Sequence, residues 1–188
     1  MFRPGAAPSG FSLDGRLTSG LGADDIEGPV GGGVRSDQLG PVDVDGDVVV
    51  AGAGGAGAGE SSRAGALVVF ERGPAGWARV ARLASQETDG GDALGGRAVA
   101  IEGGVAVTSS IVKRGPGVVY TFERSADGEW AEVDDLAEHD RPSGGVSNQA
   151  FGLSLDLDGG TLLVGAPYED GERGAAYVYE RQGDGWAR

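Results

Sequence analysis

FGLSLDLDGGTLLVGAPYEDGERGAAYVYERQGDGW, residues 151–186, spells one small antiparallel sheet. From Leu153 to Asp158 apolar and polar residues alternate strictly, the period of a strand with one buried face. Asp158-Gly159 supplies a hairpin turn, because glycine tolerates positive φ and aspartate bonds its own backbone. Thr161–Val164 returns as a more fully buried strand, and Ala175–Glu180, rich in Tyr and Val, is the third. Gly183-Asp184-Gly185 then turns the chain toward a fourth strand that begins at Trp186.

The same order occurs twice more upstream. LGPVDVDGDVVVAGA from Leu39 leads to AGALVVFERGPAGW, ending at Trp77; LGGRAVAIEGGVAVTSS from Leu94 leads to PGVVYTFERSADGEW, ending at Trp130. The opening glycines Gly40, Gly95 and Gly152 lie 55 and 57 residues apart, and the aromatic before each Glu-Arg pair (Phe70, Phe122, Tyr179) recurs after 52 and 57. Trp77, Trp130 and Trp186 follow those aromatics by 7, 8 and 7 residues. A period of this length points to a solenoid or a propeller. A sheet with two faces to bury cannot do so alone, so neighbouring copies must stack. The expected fold is all-β: four-stranded antiparallel β-propeller blades near 38–91, 92–148 and 149–188, the last truncated, forming an incomplete propeller of about three blades. Residues 1–37, with Pro4, Pro8 and Gly31–Gly33, break the pattern and read as an irregular segment; Phe11–Leu17 reads as a hairpin remaining from a preceding blade.

Composition excludes several functions. The 29 acidic against 15 basic residues, for a formal charge of −14, repel phosphate, so no nucleic-acid partner is expected. There is no cysteine, hence neither a disulfide framework nor a thiolate metal site. No stretch approaches the ~18 apolar residues of a membrane span, and no signal peptide is visible. With 38 glycines and 6% aromatics, the buried surface is expected to come mainly from β-branched residues and Leu.

Phe151-Gly152 followed by Gly165-Ala166-Pro167 are the two signposts for which FG-GAP repeats are named, and the chain resembles the short prokaryotic form of that family over residues 38–188. Leu39-Gly40 with Gly52-Ala53-Gly54, and Leu94-Gly95 with Thr108-Ser109-Ser110, are the drifted counterparts. The resemblance implies a propeller like the head of integrin α chains, extracellular or on the cell surface, used for adhesion, ligand display or assembly. It also implies a calcium loop between the first two strands of a repeat. The corresponding segments, Asp43–Asp47 and Asp156–Gly160, are shorter than that loop, and calcium needs six or more converging oxygens. Asp43, Asp45 and Asp47 are the candidate calcium ligands, set against a tight acidic hairpin whose alternating carboxylates point to solvent.

Other motifs dissolve on inspection. Gly52–Gly57 spells G-x-G-x-x-G after a strand, but only eight residues separate it from the next strand, too few for the helix of a βαβ crossover. The lone His139 lies in a polar connection without a G-x-S-x-G nucleophile elbow. Asp134 and Asp135 are adjacent on a strand and so face opposite sides, which argues against an acid–base pair. The tryptophans recur at one place in each unit, which suggests packing rather than a sugar platform.

The expected function is therefore a non-catalytic binding, adhesion or assembly module, with a protein or glycan ligand held by loops at one end of the blades. The alternative is an accessory propeller of a larger secreted hydrolase. Because propellers close with four to eight blades, the expected partners include the remaining blades of a longer chain or a second copy.

Overall fold

A computed structural model describes residues 38–57, 63–88, 90–112, 116–136, 150–183 and 185–188. Residues 1–37, with the Phe11–Leu17 hairpin, and His139 lie outside them.

Among the described residues three four-stranded antiparallel sheets follow one another. Blade 1 contains β1 (Leu39–Asp45), β2 (Val48–Ala53), β3 (Leu67–Gly73) and β4 (Gly76–Leu83). Blade 2 contains β5 (Val99–Glu102), β6 (Val105–Ser110), β7 (Val118–Arg124) and β8 (Trp130–Leu136). Blade 3 contains β9 (Ser154–Asp158), β10 (Thr161–Ala166), β11 (Ala175–Gln182) and β12 (Gly185–Ala187). In each sheet the strands lie in chain order, as successive hairpins require. A register shift recurs at the same place, between Val69 and Phe70 in blade 1 and between Thr121 and Phe122 in blade 2. The fold is all-β, an incomplete propeller of stacked blades. Its only helical piece among the described residues is a four-residue turn, Glu169–Glu172, interrupted by left-handed Asp170 and Gly171.

Strand periodicity sends alternate residues to opposite faces, and both faces of blade 2 are consumed in stacking. Toward blade 1 it presents Val99, Ile101, Tyr120 and Phe122, which meet Val50, Leu67, Val69 and Leu83. Toward blade 3 it presents Ala100, Val107, Val119 and Leu136, which meet Phe151, Leu162, Val164, Tyr177 and Tyr179. The scarce aromatics are concentrated at these boundaries: Tyr120, Tyr179, Phe122 and Phe151 are the largest fully buried side chains. Aliphatic side chains still make up most of the buried core, as expected, with these rings added at the blade boundaries. A flat sheet face needs long, stiff groups to reach its neighbour, and an aromatic ring supplies most area per ordered torsion.

Candidate functional site

The two ends of the blades differ. At one end β1–β2, β5–β6 and β9–β10 are joined by two-residue hairpins, with Asp45, Glu102 and Asp158 paired to Val48, Val105 and Thr161. At the opposite end lie the remaining strand termini, and the intervals of sequence that separate them are longer, numbered 54–66, 111–117 and 167–174 within blades and 84–98 and 137–153 between them. Tyr168 and Val112 stand exposed at that end. Beside Tyr168, the buried Tyr177 hydroxyl donates to the Glu169 carboxylate. Burial and that acceptor push the Tyr177 phenol well above its ordinary range, so it stays neutral.

The long-connection end is anchored where an incoming blade touches the preceding one. Ala93 and Ala150, at φ 52° and 53°, turn the chain into Leu94-Gly95 and Phe151-Gly152. The Leu94 and Phe151 amides donate to the carbonyls of Ala64 and Pro116 just ahead of β3 and β7, at 3.0 and 2.7 Å. The glycines then pack against the preceding blade. A Cβ on Gly52 would stand 1.9 Å from the Gly95 carbonyl oxygen, and one on Gly152 would stand 2.6 Å from Ser109 Cβ. Phe151 is fully buried, edge-on to Tyr177 with ring centroids 5.5 Å apart. In blade 2 the hydroxyls of Thr108, Ser109 and Ser110 replace the Gly-Ala-Pro chemistry by donating to the carbonyls of Ala98, Gly152 and Asp92 at 2.9, 2.6 and 2.5 Å.

A second set of contacts ties the hairpin end. Asp43 Oδ2 accepts from the Ile101 amide at 2.9 Å and Asp45 Oδ2 from the Gly103 amide at 2.8 Å. One blade on, Glu102 Oε1 accepts from the Gly159 amide at 3.0 Å. The Glu-Arg pairs act across the same boundaries: Glu71 binds Arg124 at 2.9 Å, and Glu123 binds Arg181. The Arg72 and Arg181 guanidinium carbons lie 5.5 and 5.2 Å from the Trp77 and Trp186 ring centroids. Each boundary is thus closed by the first two strands, the turn amides and a Glu–Arg bridge, always with the acid on the earlier blade.

Residues 135–179, which include both Phe151-Gly152 and Gly165-Ala166-Pro167, match the FG-GAP repeat family. The chain carries an FG-GAP repeat. No curated protein matches the chain. The geometry shows what the FG-GAP signposts do here: the aromatic-glycine pair of one blade is the plug, and the Gly-Ala-Pro position of the preceding blade is the socket.

The fold places those singled-out residues that lie within the described segments. Asp43 and Asp45 do not point idly to solvent as alternation suggested; they reach the amides of the next blade. Asp47 turns away from both and accepts from Arg72 Nε at 2.8 Å. The three carboxylates therefore engage three different partners rather than converging on one point. Among the described residues no group of three or more His, Asp and Glu is placed to hold a metal ion. Asp134 accepts from the Trp186 amide at 3.2 Å, and the Trp186 indole N–H donates to Thr121 Oγ1 at 2.9 Å, a packing role across the blade 2–3 boundary. The Gly52–Gly57 run serves the close approach of blade 2, and the described residues between β2 and β3 contain no helix. Among the described residues no helix is long and apolar enough to cross a membrane.

An open acidic groove of about 550 Å³ runs between Ala84–Glu87 and Glu132–Asp135. Burial pushes the Glu132 carboxyl above its usual range; the hydrogen bond from Ser85 Oγ at 3.2 Å opposes the shift, and the charges of Asp135 and Glu87 add to it. The inter-blade carboxylates were missed as contacts in the sequence, although a signal was present: each copy has an acid immediately before its turn glycine, at Asp45, Glu102 and Asp158.

Proposed function

We propose that this chain is a non-catalytic, exported β-propeller module that holds a protein or glycan ligand at the long-connection end of its blades. The observation that supports this reading is the asymmetry of the two ends. The hairpin end is spent on two-residue turns whose amides bind the neighbouring blade, whereas the opposite end carries the longer connections and exposed Tyr168 and Val112. Loops on a rigid scaffold are the usual place for recognition, and a half-exposed tyrosine offers contact area at low entropic cost.

Calcium at Asp43, Asp45 and Asp47 belongs to this proposal only as a competitor of the bonds those carboxylates already make. A labelled chain applied to arrays of glycans and of extracellular proteins tests the reading. Tyr168→Ala with Val112→Ser is expected to remove the captured signal without moving the melting temperature, while Asp127→Lys at the hairpin end leaves it. The reverse pattern would overturn the proposal. Fractionation of the source cells tests export directly: a cytosolic chain would refute it.

A further inference from the structure

Where the hairpins of blades 2 and 3 meet they leave a cleft of about 370 Å³. Val105, Leu157 and Trp186 are its apolar walls, all three half-buried against the core between these blades. The Trp186 ring is fixed in place, because its indole N–H donates to Thr121 Oγ1 and its amide to Asp134. Glu102 and Arg181 are the charged lining. The Arg181 guanidinium is only partly used: Nη2 binds Glu123 and Nε donates to the Gly183 carbonyl at 2.9 Å, while Nη1 is buried with no acceptor among the described residues. At the preceding joint Asp45 and Ile101 stand where Glu102 and Leu157 stand here, and Ile101 is 5% exposed within the core. One more methylene in the acid and a less buried aliphatic beside it distinguish the joint that holds the cleft. Beyond Trp186, β12 runs toward the opposite end, so further residues would extend it away from the cleft.

We propose that this cleft binds a single neutral sugar ring. Small-molecule sites are concave and mostly apolar with a few placed polar groups, and they begin at about 300 Å³. Apolar walls around an indole suit the C–H face of a pyranose. A hydroxyl both donates and accepts, so one ligand oxygen supplies the acceptor that Arg181 Nη1 lacks, and another donates to the Glu102 carboxylate. A plain hydrocarbon ring would leave Nη1 unpaired, at a cost. Charge selects for neutrality: Glu102 and Glu123 oppose an anion, and Arg181 opposes a cation. Trp186 keeps its packing role and serves as a wall rather than as a free platform. The cleft lies at the hairpin end, so its failure as a site would leave the ligand proposed for the opposite end standing, and the reverse.

Two-dimensional NMR of the purified chain, titrated with the methyl pyranosides of glucose, galactose, mannose and N-acetylglucosamine, tests it. At least one is expected to shift the Trp186 indole N–H saturably while those of Trp77 and Trp130 stay in place. The corresponding uronic acid and amino sugar are expected to bind about tenfold more weakly or worse. Leu157→Phe fills the cleft without touching a polar group and is expected to abolish the shift. Arg181→Lys keeps the charge but not the Nη1 donor, and is expected to weaken binding by about tenfold. Tyr168→Ala with Val112→Ser is expected to change nothing. Circular dichroism confirms that each variant is folded. The matching disaccharides separate the two sources of such a ring: retained binding fits the end of a glycan, lost binding a free sugar, and either supports the site. No saturable shift with any of the four sugars, binding unchanged in Leu157→Phe, or a charged sugar held as tightly as the neutral one would overturn the proposal.

Discussion

Arg181 in blade 3 binds the carboxylate of Glu123, 58 residues earlier in blade 2, and holds its guanidinium over the Trp186 ring. The pair is partly sheltered, with the side chains 18% and 30% exposed. A double-mutant cycle with Glu123→Gln and Arg181→Met is expected to show a coupling of about 1 kcal/mol that shrinks with salt. Urea midpoints at two ionic strengths measure it; a zero coupling would make the bridge ornamental.

Gly152→Ala is expected to destabilise the chain by about 3 kcal/mol. Its φ of 86° is hostile to a side chain, and the new methyl would meet Ser109 Cβ at 2.6 Å and Val119 Cγ2 at 3.0 Å. Gly159→Ala, at φ 58° in open space, carries the conformational cost alone, about 1 kcal/mol. Comparing the two unfolding curves separates steric fit from backbone preference; equal losses would refute the plug-and-socket account.

Asp45→Ala removes the acceptor of the Gly103 amide. A loss of about 1 kcal/mol, roughly 2–4 °C in Tm for a chain of this size, is expected. Because Asp43, Asp45 and Asp47 already have separate partners, EDTA is expected to leave Tm unmoved to within about 1 °C. A rise of several degrees with calcium, lost in Asp45→Asn, would instead establish the ion.

Glu132 gives a pH dependence. Burial raises its carboxyl in the folded state, so the folded chain holds that proton to higher pH than the unfolded chain does. Its contribution is full below the ordinary carboxylate range of about 4 and is lost as pH rises through the raised value. Glu132→Gln is therefore expected to be more stable than wild type at pH 7, with the gain vanishing in acid. Thermal melts at both pH values check this, and a variant equally shifted at both would exclude the mechanism.

Strand positions were legible in the sequence because alternation and turn glycines are local signals: Leu155 and Leu157 lie inward on β9, as their spacing requires. What lies opposite a strand is not local. Alternation puts Asp43 and Asp45 on one face but cannot say that backbone amides of the next blade wait across it. The Glu-Arg dipeptides read as punctuation for the same reason: adjacent residues on a strand face opposite sides, so Glu71 can serve only the following blade while Arg72 faces away. Only the repeat distance joins Glu123 to Arg181 or Glu102 to Gly159, 58 and 57 residues on. For the end with the longer connections the sequence showed where they lengthen, but not that Tyr168 would stand exposed or that Tyr177 would donate to its neighbour Glu169.

The one-way placement of donors and acceptors has a bearing on how such a chain can change in length. A tandem duplication of one whole unit, in frame, would bring with it both partners of each new junction, so no fresh surface would have to be invented. Lengthening a strand or shifting a turn within a unit would put acid and amide out of step at two junctions at once. Growth and loss by complete units are the changes this architecture absorbs, and fractional ones are those it resists.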